Sequence, residues 1–277
     1  MSDTLARRID ALYDDPVGGG EEGRRAVAEL LAELDAGRVR AAENEGGRWV
    51  ARPWVKRGIL LGFRVGTLTE LPMAGPLRFL DKDTFPLKTL SAASGVRIVP
   101  GGTAVRRGVY LAPGVIIMPP AYVNVGAYVD AGTMIDSHAL VGSCAQVGRR
   151  VHVSAGAQIG GVIEPVGALP VVLEDDVLVG GSSGIYEGAI VRAGAIIGAG
   201  VILTASTPVY DVVRGQIYRR SENAPLEIPP GAVVVPGARA LREGRGAEWG
   251  LSLQTPVIVK YRDAGTDASA ALESSLR

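Results

Sequence analysis

Cysteine and histidine are nearly missing from this sequence. Its 277 residues include one cysteine, Cys144, and two histidines, His138 and His152. A single cysteine excludes an internal disulfide and any metal site built from several cysteines. A zinc site with three histidine ligands is excluded in the same way. The sequence therefore predicts a chain without a metal centre.

An excess of charge and a long apolar run are also missing. Lys plus Arg and Asp plus Glu both number 29, so the net charge gives no reason to expect nucleic acid or an anionic membrane as a partner. The N-terminus "MSDTLARRIDALYDD" has no apolar region typical of a signal peptide. The longest apolar run, "GILLGF", is too short to cross a bilayer. We expect a soluble, cytoplasmic protein.

A six-residue period runs through the middle of the chain. From Val105 to Ile159 every sixth residue is aliphatic, at ten positions of ten, and the residue four places later is apolar at nine of them, with Thr133 as the tenth. This pattern is typical of hexapeptide repeats, in which each repeat forms one short strand and one turn of a parallel β-helix. The aliphatic side chain points inward and stacks on its equivalents in coils about 4.8 Å away. Scarce aromatics, 5%, and 38 glycines agree with such closely stacked backbones.

Two breaks in the period predict loops. The step from Ile159 to Leu173 is fourteen residues, two more than two repeats, so "GVIEPVGALP" contains an insertion. The arginine-rich stretch "STPVYDVVRGQIYRRSENAPLE" also departs from the pattern, which returns at Ile228 and Val234. It is interpreted as a hairpin-like excursion. We therefore predict a β-helix over 96–240 with insertions near 160–171 and 208–227.

The flanking segments follow other patterns. Leu5, Ile9 and Leu12 share one face of a predicted helix, and "EEGRRAVAELLAELDAGRVRAAE" is amphipathic, with Glu early and Arg late. "WVKRGILLGFRV" is assigned to a further helix. The fold class is thus mainly β, with a mainly helical N-terminal domain over 1–95. Residues 241–277 are predicted to add a small extension of one strand and one helix.

Particular segments resemble one enzyme family over nearly the whole chain. "MPPAYVNVGAYVDAGTMIDSHALVGSCAQVGRRVHVSAGAQIGGVIEP" is similar to tetrahydrodipicolinate N-succinyltransferases, and so are "AAENEGGRWVARPWVKRGILLGFR", "GAVVVPG" and "VIVK". The resemblance implies a left-handed β-helix and a homotrimer whose sites lie in clefts between neighbouring copies. It also implies transfer of succinyl from succinyl-CoA, a co-substrate rather than a bound cofactor.

The acceptor that the resemblance implies is the amine of tetrahydrodipicolinate in its ring-opened form, 2-amino-6-oxopimelate, on the route to diaminopimelate and lysine. An N-acetyltransferase acting on the same or a related small amine is the alternative. A catalytically inactive prism is a weaker alternative, because outward-facing positions vary, as in "RAGA", "YEGA" and "EDDV".

Two substrate-binding residues follow from the resemblance. The family's substrate-binding arginine falls on Arg97 in "VRIVP", whose guanidinium suits a carboxylate of the acceptor. The family's substrate-contacting aspartate falls on Asp136 in "TMID". Because Asp136 follows an inward aliphatic residue, its side chain is expected to face outward. There it can orient the amine and accept a proton.

The identity of the general base stays open among Asp136, His138, Glu187 and water. Some family members carry a glutamate in a "GARSE"-like stretch, where this chain has "GGSSGIYEG" with Gly184 in its place and Glu187 three residues later. We therefore name Glu187 beside Asp136 as a catalytic candidate. His152 is interpreted as a wall or interface residue, and Cys144 as inert packing.

Candidates for contacts with CoA rest on position and charge alone. Ser206 lies in "TAST", Arg219 in the predicted excursion and Lys260 in "VIVK". A hydroxyl and two cations suit the pantetheine and phosphates of CoA.

Overall fold

The structure is a computed structural model that describes residues 2–71, 79–222 and 224–263. Its helices are α1 (Ser2–Asp14), α2 (Glu21–Asp35), α3 (Pro53–Val65) and α4 (Gly244–Glu248), with a 3₁₀ turn at Ala92–Ser94. None of the helices described is both long enough and apolar enough to cross a membrane.

Most of the strands form a three-faced, left-handed parallel β-helix, as predicted. The first face contains β5 (Arg97–Ile98), β8 (Ile116–Ile117), β11 (Met134–Ile135), β14 (His152–Val153), β17 (Leu178–Val179) and β20 (Ile196–Ile197). The second face contains β6 (Ala104–Val105), β9 (Tyr122–Val123), β12 (Leu140–Val141), β15 (Gln158–Ile159), β18 (Gly184–Ile185) and β21 (Ile202–Leu203). The third face contains β7 (Tyr110–Leu111), β10 (Tyr128–Val129), β13 (Gln146–Val147), β16 (Val172–Leu173), β19 (Ile190–Val191) and β24 (Glu227–Ile228).

From β6 onward, the second residue of each short strand of the prism builds the core. Ile135 is in register with Ile117 in one neighbouring coil and with Val153 in the other, and all three are fully buried. The first residue faces outward and in most of these strands is buried less completely, as Met134 and His152 are. On the third face, Gln146, Val172 and Ile190 are buried as well. The six-residue period thus places aliphatic side chains inside the prism, as the sequence indicated.

Most corners have a left-handed backbone at a fixed place in the repeat. Gly126 and Gly132 adopt this backbone with φ of 79° and 70°. His138, Cys144 and Arg150 continue the same six-residue series with φ of 61°, 67° and 53°. Glycine adopts this conformation without strain, whereas a residue with a Cβ does so at a cost. Corner geometry therefore determines where His138 and Cys144 sit.

Both insertions leave the prism at one corner. Residues 160–171 connect β15 to β16, and residues 204–226 connect β21 to β24, so both loops pass from the second face to the third. We call this the insertion corner. The second loop contains an antiparallel hairpin of β22 (Val209–Asp211) and β23 (Gln216–Tyr218), which lies within the stretch interpreted as an excursion.

The N-terminal segment packs beside the insertion corner and the third face. Helices α1 to α3 share a core with Val125 and Cys144, two corner residues of the prism. The segment predicted as a helix at "WVKRGILLGFRV" is α3. Helix α2 ends at Asp35, so the arginines expected late in that helix lie beyond its end, and that part of the expectation was wrong.

Short antiparallel hairpins in this segment were not predicted. They are formed by β1 (Ala42–Glu45) with β2 (Arg48–Ala51), and by β3 (Leu68–Leu71) with β4 (Phe79–Lys82). Their strands have four residues each, which is too short for a clear alternation in sequence.

A two-stranded ribbon follows the last coil. Strand β25 (Ala232–Ala240) continues the first face and pairs antiparallel with β26 (Ser252–Tyr261). Strand β26 also pairs with β22, which joins the excursion to the ribbon. The predicted terminal helix would fall in residues 264–277, which lie outside the described residues.

Truncation of one inward side chain tests the stacked core. We expect Ile135→Ala to lower the free energy of unfolding by about 2–5 kcal/mol, because the cavity lies between two complete coils. Ile135→Val should cost only about 0.5–1.5 kcal/mol. Urea titrations at one fixed protein concentration would measure both. Equal stabilities for the two variants would contradict a close-packed stack at this position.

Candidate active site

Asp136 lies at the corner between the first and second faces, directly after β11. Its Oδ1 accepts a hydrogen bond of 2.7 Å from the backbone N–H of Ser137. Its Oδ2 lies 3.9 Å from Nε2 of His152, one coil further along the prism. The side chain of Asp136 remains 30% exposed, so a ligand on the prism wall can reach the carboxylate.

Arg97 lies on the same wall. It is the first residue of β5 and is in register with Ile116, which is in register with Met134. Arg97 is therefore two coils from the strand that precedes Asp136, about 10 Å along the axis of the prism. Its side chain is exposed. One face thus carries both of the predicted acceptor-binding residues.

A second group of predicted residues lies in a cleft at the insertion corner. This cleft has a volume of about 1490 Å³ and is lined by Leu140 and by residues within 47–51, 160–169, 186–192, 204–206, 220–222 and 224–227. Glu187 and Ser206 are among its lining residues. The carboxylate of Glu187 accepts a hydrogen bond of 2.7 Å from the backbone N–H of Ala205, so one of its oxygens already has a partner.

The remaining predicted residues are more dispersed. Arg219 is exposed next to Arg220, and Arg220 is the one that lines the cleft. Lys260 lies on β26 opposite Val233 of β25, outside the set of residues that line the cleft. His138 is exposed at the Asp136 corner. Cys144 is fully buried, and burial raises the pKa of its thiol to about 12.

Arg192 organises the wall of the cleft, a role that was not predicted from the sequence. Its guanidinium donates to Glu174 Oε1 at 2.7 Å and to Glu227 Oε2 at 2.8 Å. Burial opposes its charge, but the hydrogen bonds to Glu227 and Glu174 keep the pKa of Arg192 above its ordinary value. Trp49 donates to the same oxygen of Glu174, which links β2 to the prism. Arg192 is therefore committed to structure.

Two other arginines suit an anionic ligand better. Arg48 and Arg220 both line the cleft and are exposed. Within the described part of the chain, neither forms an ion pair with a carboxylate. They are the cationic side chains that the cleft offers to phosphate groups.

Lys56 joins the helical segment to the first insertion. This lysine is fully buried on α3, and its Nζ donates to the backbone carbonyl oxygen of Ala168 at 2.5 Å. Burial lowers the pKa of Lys56, because a buried ammonium loses its hydration. Ala168 lines the cleft, so this contact holds one of its walls.

The position of the missing glutamate is filled by a neighbouring ring. A Cβ added at Gly184 would lie 2.7 Å from Cζ of Tyr186. The hydroxyl of Tyr186 donates at 2.9 Å to Oε1 of Gln158, which is in register with Gly184 in the adjacent coil. Gly184 thus leaves room for a tyrosine that folds back over the second face.

Comparison with known proteins identifies the family. Residues 4–65 match the family model described as "Tetrahydrodipicolinate N-succinyltransferase N-terminal", and residues 170–205 match "Hexapeptide repeat of succinyl-transferase". The chain is 45% identical over 285 residues to the 2,3,4,5-tetrahydropyridine-2,6-dicarboxylate N-succinyltransferase of Azoarcus sp. (strain BH72), with 99% of this chain and 98% of that protein covered. The chain belongs to this family.

Further relatives carry the same name. The protein of Paraburkholderia phymatum is 41% identical over 287 residues, which cover 100% of this chain and 99% of the relative. A solved structure described as a putative 2,3,4,5-tetrahydropyridine-2-carboxylate N-succinyltransferase from Campylobacter jejuni is 17% identical, with a TM-score of 0.44, and covers 84% of this chain and 62% of that one. Membership of this family of N-succinyltransferases, predicted from the sequence, is confirmed.

Loss of the Lys56 contact should loosen the first insertion. In Lys56→Met we expect amide hydrogens in 160–171 to exchange about tenfold faster, since a hydrogen bond to a charged group contributes about 1.5–3 kcal/mol. Hydrogen exchange followed by mass spectrometry would measure this. Lys82→Met is the matched control, because Lys82 also donates to a carbonyl, that of Gly66, in the helical segment. Equal exchange of 160–171 in both variants would refute the role of Lys56.

A side chain at position 184 should conflict with Tyr186. We expect Gly184→Ala to destabilise the protein by about 1–3 kcal/mol, the usual cost of overpacking. The double variant Gly184→Ala with Tyr186→Ala should recover most of the loss caused by the added methyl, relative to Tyr186→Ala alone. Gly167→Ala is the control, because no atom lies within 4 Å of a Cβ added there. Thermal unfolding would contradict the interpretation if Gly184→Ala and Gly167→Ala were equally stable.

Proposed function

We propose that the protein transfers the succinyl group of succinyl-CoA to the amine of tetrahydrodipicolinate in its ring-opened form, 2-amino-6-oxopimelate. This places it on the route to diaminopimelate and lysine, in the cytoplasm. The observation that carries the proposal is 45% identity over 99% of the chain with a relative named for this acceptor and this acyl group. The half-buried Asp136 and the exposed Arg97 on one wall, and the cleft at the insertion corner, supply groups that suit the two substrates.

The reaction forms one bond and breaks another. The acceptor nitrogen attacks the thioester carbonyl, a C–N bond forms and the C–S bond breaks. The nitrogen gives up a proton, and the sulfur of CoA finally takes one. Asp136 holds the amine toward the thioester, because one of its oxygens is fixed by Ser137 and the carboxylate stays accessible on the prism wall. A carboxylate in this position can also receive the proton.

Arg97 recognises a carboxylate of the acceptor. A planar guanidinium offers two parallel donors to a carboxylate, which fixes direction as well as position. The separation of about 10 Å between the coils of Arg97 and Asp136 matches a dicarboxylate lying along the wall, with its amine near one end. This arrangement selects a long acceptor over a short amino acid.

The cleft at the insertion corner binds CoA. Its cations Arg48 and Arg220 face the phosphates, and Ser206 offers a hydroxyl beside Glu187. The exposed Arg219, which precedes Arg220 in the sequence, adds a cation outside the set of lining residues. Lys260 lies on the ribbon, and its contact with CoA would need a bound conformation or a second copy of the chain.

The two predicted carboxylates lie at different corners of one prism. Asp136 follows β11 of the first face, whereas Glu187 follows β18 of the second. A face of the prism separates them within one chain, so a site that uses both must form between neighbouring copies. This supports a homotrimer, in which the corner of one prism meets the cleft of the next.

The assay for this proposal follows free thiol released from succinyl-CoA with and without the acceptor. We expect acceptor-dependent release in the wild type and a loss of at least about a hundredfold in Asp136→Asn, the scale of acid–base catalysis. Asp130→Asn is the matched control. Asp130 also follows a strand and accepts a 2.7 Å hydrogen bond from the next N–H, but it lies at another corner.

Three results would change the assignment. Absence of acceptor-dependent release in the wild type would reject this acceptor. Faster release from acetyl-CoA than from succinyl-CoA would favour the N-acetyltransferase alternative. Equal losses in Asp136→Asn and Asp130→Asn would remove the special role of Asp136.

A further inference from the structure

His152 occupies an unusual place on the first face. Its side chain is only 12% exposed and stands in an outward row between Met134 and Leu178, two apolar residues of the adjacent coils. Nε2 of His152 lies 3.9 Å from Oδ2 of Asp136, the carboxylate oxygen that Ser137 does not hold. A titratable ring in an apolar row, next to the reactive carboxylate, indicates a role beyond packing.

We propose that His152 is a positioning residue that acts through Asp136 and takes up the proton that the carboxylate receives from the acceptor amine. The inference rests on the proposed function and adds a residue to its proton path. It also replaces the interpretation of His152 as an ordinary wall residue.

The repeat itself creates this pair. Residues 18 apart are in register on one face, so His152 stands directly beside Met134. Asp136 lies two residues beyond Met134, at the start of the corner, and its backbone N–H donates to the carbonyl of Val153 at 2.9 Å. This hydrogen bond fixes the position of Asp136 along the prism axis relative to the strand that carries His152. The contact is therefore built on two rigid, hydrogen-bonded coils.

Asp136 and His152 together can move a proton away from the acceptor amine in two steps. A carboxyl group ordinarily has a pKa near 4, so a carboxylate is a weak base for an amine that is forming an amide at neutral pH. Imidazole titrates near neutrality and accepts such a proton readily. The proton passes from nitrogen to Oδ2 of Asp136, then to Nε2 of His152, and finally to the thiolate of CoA through solvent. Each step leaves one group protonated, and no electrons are transferred.

The other histidine lacks this arrangement. His138 is exposed at the same corner, and in the described residues it makes no ion pair with a carboxylate. Its backbone N–H donates to the carbonyl of Pro120, which secures the corner and does not direct the ring. The geometry therefore favours His152 over His138 as the partner of Asp136.

The first experiment measures steady-state kinetics of His152→Gln with succinyl-CoA and the acceptor from pH 5.5 to 9. Glutamine preserves a polar group of similar reach and cannot take up a proton. We expect kcat to fall at least about thirtyfold and the acceptor KM to stay within about twofold. The pH at which kcat declines on the acid side of its profile should also shift. Met134→Leu, the neighbour of His152 in the same row, is the control and should keep both the rate and the pH profile.

A double variant tests the linkage. If His152 acts through Asp136, then Asp136→Asn with His152→Gln should be hardly slower than Asp136→Asn alone, because coupled residues are not additive. The proposal is overturned if His152→Gln keeps kcat within about twofold. It is also overturned if kcat falls with an unchanged pH profile and the two losses multiply in full, since that pattern describes a purely structural effect.

A spectroscopic measurement separates this proposal from the proposed function. The chain has two histidines, so the ring resonances of His152 are assigned by comparison with His138→Gln. We expect Asp136→Asn to move the ring resonances of His152 and Asp130→Asn to leave them in place. Unmoved resonances would reject the pair, whether or not the wild type uses succinyl-CoA. Moved resonances in a protein without acceptor-dependent release would retain the pair and reject the acceptor.

Discussion

The stacking of inward aliphatic side chains in register controls the rest of this molecule. Ile135 rests between Ile117 and Val153, and the inner coils repeat that arrangement. A shift by one residue would turn an inward side chain outward, so the register is strongly fixed. Outward-facing side chains are therefore also held at fixed positions. Two side chains sixteen residues apart, one full coil less two, are held beside each other without any contact designed for them alone.

The same constraint determines where extra residues can go. An insertion inside a strand would break the stack, whereas an insertion at a corner leaves the inward row intact. Both long loops leave at the insertion corner, and α3 packs there through Lys56 and Cys144. The cleft is the space between these additions. Its shape depends on contacts such as those of Arg192 with Glu174 and Glu227, which tie separate coils together.

The sequence predicted the features that follow from the six-residue period, but few of the contacts that join the prism to the other segments. The inward row, the two breaks and the hairpin excursion followed from counting by six. The hairpins of the N-terminal segment and the contact of Lys56 with Ala168 did not, because they join residues with no periodic relation. The contact of Arg192 with Glu174 was not predicted either, although its spacing of eighteen residues is one full coil. The contact between Asp136 and His152 could have been found: a spacing of sixteen becomes informative once eighteen residues are assigned to a coil. Family resemblance named Asp136 and Arg97 but gave no geometry for either.

Gly184, which stands where some family members carry a glutamate, indicates that the Asp136 corner and the insertion corner have different roles. With the ring of Tyr186 over Gly184, the second face presents a hydroxyl bound to Gln158 in place of an acid. Glu187 stands nearby, but its carboxylate already accepts the N–H of Ala205. Asp136 also accepts a backbone hydrogen bond, from Ser137, but its second oxygen lies 3.9 Å from Nε2 of His152. The corner with Asp136 and His152 is thus better suited to moving the proton, and the insertion corner to holding the acyl donor.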